Sequence, residues 1–233
     1  MRQIATLSFI ILSFSSCRQV TGSGNIISEK KEVKNFTGIS AGSAFDVEVR
    51  IGSPVAVEIQ ADDNLMKLIQ VKVVENTLRI HARNGVSFTN CHFKAVITVP
   101  GLDHIESSGA ATVNVLDELK NSEKIELHAS GAAKIKAQVD APAIDAESSG
   151  AANIELTGKT KDLDANASGG ANIHASGLLS ENADAEASGA GNIHLYASVK
   201  LDASASGAGN VFYKGGATVN KETSGAGNVK KEE

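Results

Sequence analysis

One short phrase recurs through the second half of the chain and restricts its fold more than any other feature. It starts at Ser108 (Ser-Gly-Ala-Ala-Thr-Val), Ser130 (Ser-Gly-Ala-Ala-Lys-Ile), Ser149 (Ser-Gly-Ala-Ala-Asn-Ile) and Ser168 (Ser-Gly-Gly-Ala-Asn-Ile). It returns at Ser188 (Ser-Gly-Ala-Gly-Asn-Ile) and, with valine last, at Ser206 and Ser224. Successive starts lie 22, 19, 19, 20, 18 and 18 residues apart. A period near nineteen is too short for paired-helix repeats or propeller blades, and it suits one coil of a β-solenoid. The flanks alternate with period two, as in Leu163-Asp164-Ala165-Asn166-Ala167 and Ala183-Asp184-Ala185-Glu186-Ala187, so one face of each strand points inward. The Ser-Gly-small-small unit is then the corner, where glycine tolerates positive φ. The expected fold is all-β: a parallel β-solenoid of about 18–22-residue coils.

Composition agrees with a narrow core. Aromatics make up 4% of the chain and Trp is absent, yet 42% of residues are hydrophobic. The interior must be filled by Ala, Ile, Val and Leu. A net charge of −5, with no basic cluster interleaved with aromatics, argues against nucleic acid as a partner.

The organisation reads as five segments. Residues 1–17 look like a lipoprotein signal peptide: Arg2, an apolar run from Ile4 to Phe14, then Ser15-Ser16-Cys17. The run is too short to span a bilayer, and a cysteine after small residues places lipid attachment at Cys17. The expected location is therefore the cell envelope, as an outer-membrane lipoprotein facing the periplasm or the cell surface. Residues 18–33 read as a linker. Residues 34–104 read as a less regular β region that covers the open first coil. The repeat solenoid occupies 105–230, and 231–233 is a tail that frays with Lys230 onward. Strands are expected at Ala44–Ile51, Val55–Ala61, Thr77–Ala82 and Lys94–Pro100, with a short helix or turn at Asp62-Asp63-Asn64-Leu65-Met66. With Cys17 lipidated, Cys91 is the one remaining thiol and reads as a buried, inert side chain.

These features together resemble the putative autotransporter adhesin family with a head GIN domain, found in Bacteroidetes. The match rests on Gly22-Ser23-Gly24-Asn25, Phe36-Thr37-Gly38-Ile39, Phe45-Asp46-Val47, Ala61-Asp62-Asp63-Asn64, Val99-Pro100-Gly101-Leu102 and the Ser-Gly-Ala-Gly-Asn run. It covers roughly residues 22 to 229. The resemblance implies a right-handed solenoid, export and a surface or periplasmic location, and it supplies no catalytic residues.

Three columns are candidate sites. Stacked coils place equivalent residues about 4.8 Å apart. Asn153, Asn172, Asn192, Asn210 and Asn228 then form an amide ladder of structural role, broken at its N-terminal end by Thr112 and Lys134. Glu126, Asp145, Asp164, Asp184 and Asp202 form an outward row of like charges. Calcium would relieve their repulsion; the plainer account is a solvated face screened by salt and by lysines such as Lys161 and Lys200. His174 and His194 fall in one column but lack neighbours that would complete a metal ligand set. No cofactor is expected. Every carboxylate of the repeats belongs to a column, and the four Arg after the signal (18, 50, 79 and 83) lie outside them. This argues against a lyase or hydrolase, which needs an isolated acid pair or a base beside a bound cation. The expected role is a non-enzymatic envelope lipoprotein, adhesin-like or scaffolding, that binds glycans or proteins along one face and is held to the membrane by its lipid. The alternatives are a periplasmic accessory to envelope signalling and a carbohydrate-active β-helix enzyme. Stacking of the exposed last coil on another chain is a route to assembly.

Overall fold

The structure is a computed structural model and describes residues 18–232. Strands β1 (Arg18–Thr21), β2 (Ile26–Lys30), β3 (Gly38–Ala41), β4 (Asp46–Ile51) and β5 (Ala56–Asp62) lead to one helical turn, α1 (Asp63–Met66). Then come β6 (Ile69–Val74), β7 (Thr77–Ala82), β8 (Val86–Thr89) and β9 (Phe93–Val99). The repeats supply β10 (His104–Ser107), β11 (Thr112–Val115), β12 (Leu119–Lys120), β13 (Ile125–Ala129), β14 (Lys134–Ser148) and β15 (Asn153–Ala167). They end with β16 (Asn172–Ala187), β17 (Asn192–Ala205), β18 (Asn210–Lys214), β19 (Thr218–Thr223) and β20 (Asn228–Lys231). The arrangement is a β-solenoid of about seven turns with coils of about 19 residues.

The corner explains the repeated phrase. Gly109, Gly131, Gly150, Gly169, Gly189, Gly207 and Gly225 all have φ between 67° and 74°. A Cβ at Gly150 would lie 2.8 Å from the Gly131 carbonyl oxygen, so the column admits no side chain on two counts. The parallel ladder continues through the turn: Ser149 N–H donates to Ala129, Ala151 to Gly131 and Asn153 to Ala133, at 2.9, 2.7 and 2.9 Å. The inter-coil ladder therefore carries through the bend at Ser149, Ala151 and Asn153.

Between corners the strands stack in register, Ile135 on Ile154, Ile154 on Ile173, Ile173 on Ile193 and Ile193 on Val211. All five are buried. Opposite them the inward column runs Ile39, Ile105, Leu127, Ala146, Ala165, Ala185 and Ala203, so the core thins from the fourth member onward. Burying one Ile or Leu contributes roughly 1.5–3 kcal/mol, and the alternating inward set supplies the driving force for each added coil.

The coil column begins earlier than residue 105. Strands β3 and β4 stack in parallel on β10 and β11, with Ile39 against Ile105 and Val47 against Val113. Gly42-Ser43-Ala44 is the corner between them, and Ser43 takes the glycine position at φ 64°. The segment from Gly52 to Gly101 is an insertion that builds the end cap. There β5 runs antiparallel to β9, β6 to β7 and β2 to β5. Phe93 stacks on Phe45 at 5.1 Å and meets Phe88 edge-on at 5.3 Å, sealing the first coil with the largest side chains available. The expected strands and the helical turn at Asp63–Met66 are present; of residues 34–104, read as one covering β region, residues 38–51 belong to the coil column and the segment after them forms the cap.

Two expectations are corrected. Residues 18–33 are not a linker: β1 pairs with β8 from Arg18↔Val86 to Thr21↔Thr89, and β2 pairs with β5. The tail at 231–233 does not fray from Lys230: Lys230 and Lys231 belong to β20, and Glu232 N–H donates to the Tyr213 carbonyl at 2.8 Å. Residues 1–17, including Cys17, and Glu233 lie outside the described residues.

Candidate functional site

The carboxylate column is continuous. Glu126 pairs with Asp145, Asp145 with Asp164, Asp164 with Asp184 and Asp184 with Asp202. His104 precedes it and Asn220 follows it. Strand alternation turns all of these outward because their sequence neighbours, such as Leu163 and Ala165, fill the core. Two lysines answer the ends of the row. Lys124 Nζ lies 2.7 Å from Glu126 and 3.3 Å from Asp145, and Lys200 Nζ lies 2.5 Å from Asp202. Lys124 holds the Glu126 carboxyl below its usual range, and Lys200 does the same for Asp202.

The middle of the row is different. Among the described residues no lysine lies within ion-pair distance of Asp164 or Asp184, and Lys161 does not serve as the expected counter-charge. Partial burial, then the charges of Asp145 and Asp184, push the Asp164 carboxyl up. Asn166 donates to its Oδ1 at 2.8 Å, and alongside, Asn182 donates to Asp162 at 2.8 Å. The result is an open groove of about 500 Å³, floored by Ile144, Leu163 and Ala183 and edged by acids. No group of three or more His, Cys, Asp or Glu among the described residues is poised to hold a metal ion.

The asparagine column carries an amide ladder. Asn172 donates to Asn153 at 3.1 Å, Asn192 to Asn172 at 3.1 Å and Asn210 to Asn192 at 2.9 Å. Asn228 continues the register against Asn210, and Lys134 interrupts it on the other side. Asn192 and Asn210 also bond the corner carbonyls of Ala190 and Ala208, tying the amide row to the turn.

On the same face His174 stacks on His194 at 5.4 Å and His194 on Phe212 at 4.6 Å, with interplanar angles of 25° and 20°. The rings use their faces on one another, which leaves His194 none to offer a sugar. Glu232 approaches His194 Nδ1 at 3.2 Å. Cys91 is half-buried, and burial pushes its thiol up, away from the reactive thiolate.

A polar brace at the N-terminal end escaped the sequence reading. Gly24 N–H donates to Asp62 at 2.7 Å and His92 N–H to the other oxygen at 2.8 Å. Ser23 Oγ donates to Asp63 at 2.6 Å, Asn25 Nδ2 to Asp63 at 3.0 Å and Asn64 Nδ2 to the Thr21 carbonyl at 2.9 Å. Backbone donors from His92 and Gly24 hold the buried Asp62 carboxyl below its usual range, despite an opposing effect of burial. Both halves of the brace, Gly22–Asn25 and Ala61–Asn64, are phrases noted above, the second as the start of a helical turn and neither as one side of a brace.

Residues 35–217 match the family described as "Putative auto-transporter adhesin, head GIN domain". The chain belongs to this family. Its solenoid is similar to a "putative adhesin" from Bacteroides fragilis NCTC 9343, with a TM-score of 0.85 and 26% identity over 91% of this chain and 100% of that one. It is also similar to a "putative lipid binding protein" from Parabacteroides distasonis ATCC 8503, with a TM-score of 0.76 and 19% identity over 93% of this chain and 100% of that one. A "putative adhesin" from the same organism gives 0.71 and 24% over 92% and 100%. At these last two identities the likeness concerns the fold. No curated protein matches the chain. Membership in an adhesin-like family associates the chain with the cell envelope or surface.

Proposed function

We propose that this head GIN domain protein is a non-enzymatic envelope lipoprotein, anchored through Cys17, whose solenoid presents a rigid adhesive or scaffolding surface to glycans or proteins. The observation that supports this reading is the groove along the carboxylate column from Asp145 to Asp202, whose side chains repeat with the coil and therefore suit a polymer of repeating units. An enzyme would break the column with an isolated acid or base, and Glu126, Asp145, Asp164, Asp184 and Asp202 keep register without a break. Asp164 and Asp184 alone do not complete calcium's oxygen shell, so a calcium bridge would need further oxygens from an acidic ligand.

The test is a glycan-array and extracellular-matrix binding screen of the mature chain, with calcium and with chelator. The expected result is binding to one polymer class that weakens in Asp164→Asn and Asp184→Asn. Loss on chelation supports the calcium bridge. Absence of binding under both conditions overturns the adhesive reading.

A further inference from the structure

We propose that the closed N-terminal end of the solenoid is a membrane-apposed surface whose basic cleft takes anionic, phosphate-bearing lipid headgroups. The inference rests on the reading of Cys17 as the lipid anchor. It adds what that anchor leaves open: which end of the rod meets the bilayer, and through which side chains.

Tether geometry comes first. Cys17 is joined by one peptide bond to Arg18, whose Cα is in register with Val86 in the β1–β8 pair. One residue of chain reaches less than about 4 Å. The brace of Gly22–Asn25 against Asp62–Asn64 then fixes β1 to the cap, so no spacer separates an anchored Cys17 from the fold. The bilayer surface would have to lie against whatever surrounds this exit point.

A cleft of about 680 Å³ borders the β1–β8 pair, formed by Val20, Leu68, Val86 and the Asn84-Gly85 turn, with Lys67 and Arg83 at its walls. Both basic side chains are exposed, and among the described residues neither has an acid within ion-pair distance. Asp62 and Asp63, the acids closest in sequence to Lys67, direct their oxygens at Gly24, His92, Ser23 and Asn25 instead.

The outermost strand pair carries the same sign. In the β6–β7 hairpin, Lys72 sits directly opposite Arg79, and both are exposed. Like charges facing each other across a ladder are destabilising unless an anion answers them. From residue 64 to 86 the chain has four Lys and Arg and a single acid, Glu75. From residue 105 onward the balance reverses, with eleven Lys and Arg against eighteen Asp and Glu. Residues 18–104 as a whole hold ten Lys and Arg against nine Asp and Glu, so the N-terminal end is near balance with a basic surplus local to 64–86, whereas the rest of the rod is acidic. An anionic bilayer attracts that basic surplus and repels the acidic remainder. The carboxylate groove consequently projects from the membrane, where an extracellular or periplasmic polymer would reach it.

Vesicle co-sedimentation tests this with the chain from residue 17 onward carrying Cys17→Ser, so that no acyl chain masks the contribution of charge. Vesicles are phosphatidylcholine with and without phosphatidylglycerol. Binding is expected only with the anionic lipid and should fade with salt. Each basic residue near such a surface contributes about 1 kcal/mol, so Lys67→Gln and Arg83→Gln should each weaken binding about fivefold and the pair about twenty-fivefold. Lys230→Gln and Lys231→Gln at the far end should change nothing. Equal binding to both vesicle types, unaltered binding of the Lys67/Arg83 pair, or full displacement by inorganic phosphate would each overturn the inference. Mass spectrometry of the cell-derived protein separates the two readings. A lipidated Cys17 without anionic preference keeps the anchor and removes the basic surface; an unmodified Cys17 with the preference intact does the reverse.

Discussion

Replacing Ser148 by alanine should make this protein more stable, and Ser107→Ala should make it less so, although both serines occupy one buried column. The column runs Ala41, Ser107, Ala129, Ser148, Ala167, Ala187, Ala205 in stacked coils. Ser148 is fully buried, and its hydroxyl has no hydrogen-bond partner. An unsatisfied buried hydroxyl costs about 1–3 kcal/mol. Truncation leaves a void on the order of 10 Å³, worth roughly 0.2 kcal/mol at about 24 cal/mol per Å³. The net expectation is about 1–2 kcal/mol of stabilisation, or roughly 3–6 °C in Tm for a chain of this length. Ser107 Oγ, by contrast, donates to the Ala111 carbonyl at 3.1 Å. That carbonyl also accepts from Lys134 N–H, so Ser107→Ala strands no acceptor and should cost only about 0.5–1 kcal/mol. Urea denaturation gives both values as shifts in midpoint at constant slope. A destabilised Ser148→Ala would mean that the hydroxyl is satisfied, and the reasoning from its isolation would fail.

The corners make a second contrast: Gly150→Ala combines φ of 74° with a Cβ 2.8 Å from a carbonyl oxygen and should cost at least about 2 kcal/mol. Gly170→Ala has a Cβ at 3.5 Å from its nearest neighbour and should stabilise by about 0.4–1 kcal/mol; equal Tm shifts in the two variants would contradict the corner geometry. Ile173→Asp puts a charge into a position with no solvent exposure and should abolish the cooperative far-UV CD transition, whereas wild-type melting would refute the inward assignment. Asp164 titrates above its ordinary value when folded, so its contribution favours the fold below the unfolded carboxylate pKa and is lost as pH rises through the folded pKa. Asp164→Asn should therefore gain a few tenths of a kcal/mol at pH 7, an amount limited by solvent screening, and should flatten the acid side of the stability profile. A variant less stable than wild type at pH 7 would show that Asp164 is favourably countered in solution.

What the sequence revealed and what it hid divide along contact distance. The corner, the inward isoleucines and the amide and carboxylate columns each depend on a phrase that repeats at one period, so stacking like on like suffices to place them. The brace depends instead on Ser23 meeting Asp63 across 40 residues, and a stretch such as Gly22-Ser23-Gly24-Asn25 has the composition of a linker until that partner is known. The first coil was hidden for a related reason. Gly42-Ser43-Ala44 lacks glycine at the left-handed position, and a cap-forming insertion separates it from the regular repeats. The alternation Asp46-Val47-Glu48-Val49, which aligns with Thr112–Val115, was the available signal. Counter-charges were misjudged because Lys124 reaches the carboxylate row from two positions before Glu126, whereas Lys161, three positions before Asp164, lines a different groove with Pro142 and Tyr196.

The two ends of the rod solve the edge problem by different means, and the difference bears on assembly. At the N-terminal end, antiparallel strands and three phenylalanines close the core with added chain. At the C-terminal end β20 is the last of the described strands, and the column Ala146, Ala165, Ala185, Ala203 ends in Lys221, an exposed charge at a position that is otherwise inward and apolar. Lys230 and Lys231 charge the neighbouring strand. An inward lysine on a terminal strand must be desolvated before another coil can stack on it, which is how sheet proteins discourage edge-to-edge growth. Addition of a further coil from a second copy would bury Lys221 against alanine without a partner carboxylate in the column. The last repeat therefore keeps the corner phrase, the amide register and the inward Val219 and Val229 of its predecessors, while Lys221 replaces the alanine of its column.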